Sequence, residues 1–133
     1  MSITRINNLG ITDGTIVNAD INASASIAST KLTGVNDAKA WVNFNGTGVV
    51  AIRGSFNVSS ITDDGVGRYT VNFTNALTDA NYATVAMTQQ DSGGGARIIS
   101  GTGTPTSSAR KIGTGTVANV DQDHQFIDVA VFR

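Results

Sequence analysis

Between Ile11 and Leu32 a large aliphatic residue recurs about every fifth position: Ile11, Ile16, Ile21, Ile27 and Leu32. Thr, Asn, Asp, Ala, Ser and Gly fill most of the space between them. An amphipathic helix repeats its apolar positions at three and four residues, and a half-buried strand at two. Spacings of 5, 5, 6 and 5 fit neither. One chain cannot build a core from so sparse a ladder, whereas identical chains wound together can. The pattern therefore predicts an extended, self-associating stem. Three units, Gly14-Thr15-Ile16, Ala19-Asp20-Ile21 and Ala25-Ser26-Ile27, repeat a small residue, a polar residue and Ile. Ala19–Lys31 is also Ala-rich enough for a short helix, so strand and helix both stay open for the stem.

From residue 38 the period falls to two. Ala40, Val42 and Phe44 share one face, and Lys39, Trp41, Asn43 and Asn45 the other. Asn45-Gly46-Thr47-Gly48 then supplies turn chemistry. The alternation resumes with Val50, Ile52, Phe56 and Val58 inward and Arg53, Ser55, Asn57 and Ser59 outward. Asp63-Asp64-Gly65-Val66-Gly67 makes the next turn, and Tyr69, Val71 and Phe73 form a third inward row. A fourth strand over 82–89 is expected to point Ala83, Val85 and Met87 inward. Further strands are expected near 97–100, 110–119 and 125–133. The last carries Ile127, Val129 and Val131 on one face and Phe126 and Phe132 on the other, as if covered twice. The expectation is an all-β chain: an antiparallel β-sandwich-like head at 38–133 behind a fibrous stem at 1–37.

Composition agrees with that division, since every Trp, Tyr and Phe lies at or beyond residue 41. Charged residues make up 14% of the chain, against about 25% in ordinary soluble domains. Lys and Arg are scattered, and the net charge is −1, so no nucleic-acid partner is expected. No apolar run is long enough for membrane insertion. With no Cys in the chain, disulfides and thiolate sites are excluded.

The inventory for catalysis is poor. The chain has one His, His124, no Cys and no Glu. Nucleophilic catalysis needs a base beside its Ser or Cys, and glycoside hydrolysis needs two placed carboxylates. Asp here falls mostly in turn contexts, where its side chain caps backbone groups. Asp121-Gln122-Asp123-His124 offers ligand types for a metal, but a lone His beside Asp in a loop reads better as a solvated turn. The chain is expected to be no enzyme and to use no metal and no cofactor.

The stretch Ala38-Lys39-Ala40-Trp41-Val42-Asn43-Phe44-Asn45-Gly46-Thr47-Gly48 resembles the C-terminal domain of bacteriophage tail fibre proteins. So do Ile52-Arg53-Gly54-Ser55-Phe56-Asn57-Val58 and Tyr69-Thr70-Val71-Asn72-Phe73, while the ladder before them is similar to the shaft repeats of such fibres. The resemblance implies a homotrimeric tip of a virion tail fibre, joined to other tail proteins, that binds a bacterial surface receptor, a saccharide or an outer-membrane protein. It implies no catalytic residue. A purely structural fibre segment is the competing expectation.

Loops on a rigid β scaffold are the default place for such binding. Residues 89–97 come first, with Gln90, Asp91 and Arg97 as hydrogen-bonding groups. Residues 104–111 follow with Arg110 and Lys111, then 120–124 with Asp121, Asp123 and His124. Trp41 is expected at a subunit interface or under the junction of stem and head, in preference to stacking on a sugar.

Overall fold

The computed structural model describes residues 37–89 and 97–133. The chain divides into two units, Met1–Val35 and Asn36–Arg133, and the described residues belong to the second. The expected stem positions Ile11, Ile16, Ile21, Ile27 and Leu32 lie outside the described residues.

The described residues form eight strands and no helix: β1 Ala38–Asn45, β2 Ala51–Phe56, β3 Val58–Gly65, β4 Arg68–Phe73, β5 Ala83–Gln89, β6 Arg97–Gly101, β7 Ala109–Thr116 and β8 Phe126–Phe132. Two four-stranded antiparallel sheets result. Sheet I has the order β2-β1-β8-β5 and sheet II the order β3-β4-β7-β6. The inner faces of both supply one core: Ala40, Val42, Phe44, Ile127, Val129 and Val131 from sheet I, and Val58, Tyr69, Val71, Phe73 and Ile112 from sheet II. Phe44 meets the Tyr69 ring edge-on at 5.3 Å between centroids, a favoured aromatic geometry.

Inward assignments change on two strands, β2 and β5. The β1–β2 register shifts between Asn43 and Phe44, so Phe44 faces Ile52 whereas Asn43 faces Gly54. The extra residue, Arg53, inverts the alternation. Phe56 consequently pairs with Trp41 on the outer face and is 55% exposed, while Ile52 is left uncovered at the sheet edge. On β5 the phase is set by β8. Thr84, Ala86 and Thr88 pair with the inward Val131, Val129 and Ile127, so Ala83, Val85 and Met87 point outward. Bulk alone does not choose a strand's face when the inward positions still alternate correctly with the neighbour.

The stretch read as one strand through Ser59 is two strands on different sheets. Asn57, at φ 53, breaks it, and Asn tolerates that left-handed conformation better than most residues do. Its side chain secures the crossing: Nδ2 donates to the Lys39 and Asn75 carbonyls at 2.9 and 3.1 Å, and Oδ1 accepts from Asn75 N at 2.8 Å.

Candidate binding surfaces

Two surfaces stand out among the described residues. The first is the outer face of sheet I. Antiparallel pairing sets Phe56, Trp41, Ala130 and Val85 in one row across all four strands, with Gly54, Asn43, Asp128 and Met87 in the next. Trp41 is 44% exposed, Val85 62% and Met87 61%. A shallow apolar groove of about 290 Å³ runs between Trp41 and Met87. Its polar members are tied together, since Asn43 Nδ2 donates to Asp128 Oδ1 at 2.6 Å. Farther along, the Arg53 guanidinium lies 4.4 Å over the Phe126 ring, a cation–π arrangement. Sequence alternation had marked Trp41 as an isolated aromatic on a polar face. The structure surrounds it with apolar neighbours from β2 and β5.

The second surface is the open edge between β5 and β6, where Thr84, Ala86, Ile99, Ser100, Gly101, Arg110 and Ile112 line a cleft of about 200 Å³. Arg110 belongs to strand β7 and not to a loop. It pairs with Val71 on the inward face of sheet II, whereas Lys111 pairs with Thr70 and stays exposed on the outer one. Gln90 and Asp91 lie outside the described residues, and Arg97 opens β6.

The segment 120–124 divides three ways. Asp121 forms an exposed ion pair with Arg68 at 2.8 Å, a type of contact that adds little stability. Asp123 serves the fold: its Oδ1 accepts from Gly67 N at 2.6 Å and from the Tyr69 hydroxyl at 2.8 Å. His124 is fully buried, with Nδ1 and Thr88 Oγ1 2.7 Å apart, and its carbonyl accepts from Gly46 N. A solvated turn is thereby corrected to a core position, and a receptor cannot reach the imidazole without unfolding the strand ends around it. Its sequence neighbours are short, polar and turn-forming, so nothing local marked it as interior. Among the described residues, no group of three or more His, Cys, Asp or Glu is placed to hold a metal ion.

The two tyrosines respond to this environment in the same direction. Burial first, then the hydrogen bond to Asp123 and the charges of Asp123 and Asp63, push the Tyr69 phenol far above its ordinary value of 10.0. Burial also raises Tyr82, against the opposing pull of the Arg110 charge. Both folded values lie above the unfolded ones, so their contribution is complete below about pH 10 and is lost as pH rises further. In an alkaline titration, the half of the phenolate absorbance that belongs to Tyr69 is expected to appear only together with loss of the far-ultraviolet strand signal. Ionisation of both tyrosines near pH 10 in a fully folded domain would contradict the burial and contacts of Tyr69.

No family model matches the chain, and neither a curated protein nor a solved structure does so.

Proposed function

We propose that this chain is a receptor-binding tip of a bacteriophage tail fibre, a non-catalytic adhesin that works as a homotrimer on the virion. The observation that carries the reading is the apolar outer face of sheet I. Monomeric soluble proteins rarely leave contiguous apolar patches of this kind open to water, and larger ones mark interaction sites. Trp41, Phe56, Val85 and Met87 form such a patch on a domain with few surface charges to interrupt it. In this reading the patch is buried between copies of the domain, which leaves the sheet edges and loops to meet the bacterial surface. Three modest sites on one tip then gain avidity with no new contact. The fibre assignment itself rests on the resemblance of the Ala38–Gly48 and Tyr69–Phe73 stretches and on the five-residue ladder.

The test has two readouts on the full chain. Mass in solution is expected near three times 13.7 kDa, and a monomer would defeat the assembly. Fluorescently labelled chain is expected to stain host cells and to block phage adsorption. A trimer that does neither is a structural fibre segment.

A further inference from the structure

We propose that the cleft between edge strands β5 and β6 binds a carboxylate-bearing sugar unit through the Arg110 guanidinium. The inference rests on the receptor-binding reading and gives it a ligand class.

An arginine on the inward face of a β-sheet is costly unless its charge is compensated. The other inward positions of β4 and β7 are filled by Tyr69, Val71, Phe73, Ile112 and Thr114. Among the described residues, ion pairs are made by Arg68 with Asp121 and by Arg133 with Asp79, and none by Arg110. Its Nε is buried with no hydrogen-bond partner among those residues. The charge is felt by its surroundings, since it acts to lower the neighbouring Tyr82 phenol. A half-buried guanidinium facing a cleft with no carboxylate among its described lining residues is the arrangement that an acidic ligand completes, and its planar fork matches a carboxylate in two-point contact.

The backbone makes room for that group. A Cβ built on Gly101 would fall 1.7 Å from Arg110 Nη2, so the guanidinium occupies the space that a side chain at this position would fill. Thr102 N donates to the Lys111 carbonyl at 3.1 Å. Antiparallel pairs alternate, so the adjacent Gly101 turns its own N–H and C=O away from β7, toward the open edge. Thr84 adds a hydroxyl, and Ala86, Ile99 and Ile112 an aliphatic wall. At about 200 Å³ the cleft exceeds what a bare ion needs. A charged anchor, edge-strand amides, a hydroxyl and an aliphatic wall together suit a pyranose ring with its carboxylate on Arg110.

Calorimetric titration of the full chain with sodium glucuronate, glucose, sodium sulfate and an acetylated aspartyl peptide tests this. Glucuronate is expected to bind, with glucose, sulfate and the peptide at least about tenfold weaker. Arg110→Gln is expected to lose about tenfold or more in glucuronate affinity. It should leave the melting temperature unchanged or raised, because an unpaired charge leaves the interior. Gly101→Ala is expected to weaken binding similarly by displacing Nη2, whereas Lys111→Ala on the opposite face changes nothing. Equal binding of glucose, or of sulfate, or tighter binding of the peptide, would overturn the acidic-sugar assignment. A lowered melting temperature with unchanged glucuronate affinity in Arg110→Gln would assign the residue to the fold and overturn the site. Staining of cells by Arg110→Gln as strong as by the parent chain rejects the cleft as the receptor site while adhesion stands. Absence of staining by the parent rejects adhesion itself, whatever the titration shows.

Discussion

Gly67→Ala is expected to cost roughly 4 kcal/mol or more, a large share of the roughly 5–15 kcal/mol that holds a typical domain together. Gly67 closes the β3–β4 turn at φ 65 and is buried. Its carbonyl accepts from Thr114 N at 2.7 Å, and its N–H donates to Asp123 Oδ1 at 2.6 Å. A Cβ would stand 2.4 Å from the Thr114 carbonyl oxygen and 2.6 Å from Gln122 N. Both are backbone atoms of strands and loops already bonded to each other, because Gln122 N donates to the Thr114 carbonyl and Thr114 Oγ1 to the Gln122 carbonyl. The methyl group therefore cannot be accommodated by turning a side chain aside. It must separate the turn from the β7–β8 segment, which releases Asp123 from both Gly67 and Tyr69. Gly48→Ala isolates the clash from the conformational strain. Gly48 has φ 64 with nothing within 4 Å of a built Cβ, so only the strain applies, about 1 kcal/mol. Urea midpoints of the two variants measure the difference; equal losses would mean that the turn yields where the contacts say it cannot.

Phe44→Ala is expected to cost about 3–5 kcal/mol, the usual range for emptying a buried aromatic site. Phe44 has no exposed surface and carries the ring contact to Tyr69 that joins the two sheets. The informative partner is Phe56→Ala. Both residues occupy apolar positions that alternate in phase with their own strands. The bulge at Arg53 nevertheless puts Phe56 outside, so its truncation is expected to move domain stability by only about 0.5 kcal/mol, as at other surface positions. Within the proposed trimer the same change is expected to weaken assembly, seen as a lower-mass species on dilution. A loss of several kcal/mol in Phe56→Ala would place that ring in the core and contradict the register.

Much of the second unit was legible in the chain. The rows Ala40/Val42/Phe44, Tyr69/Val71/Phe73 and Ile127/Val129/Val131 are all inward, because each alternates strictly within its own strand and the extra residues of the irregular β1–β2 and β3–β4 pairings fall on the neighbouring strands. Prediction failed where a strand's phase depends on another strand. Thr84, Ala86 and Thr88 are less bulky than Val85 and Met87, yet they face the core because β8 fixes their register. His124 and Asp123 show the same limit in a loop. Their role comes from Thr88, Gly67 and Tyr69, which lie 35 or more residues away.

The candidate site divides along the same line. The residue types proposed to bind were visible as polar groups near turns, and Arg110 was among them. Its inward direction, the lack of a counter-charge among the described residues and the room left by Gly101 were not, since all three depend on strand pairings.

By itself, then, the sequence determined the β class, the turns and the main inward rows, because a period of two acts over a few residues and needs no partner to be read. Tertiary structure alone decided which sheet each strand joins, that Trp41 and Phe56 form one open face, and that Arg110 turns toward a cleft. Those outcomes follow from register and from the break at Asn57, and register is a property of two strands, never of one.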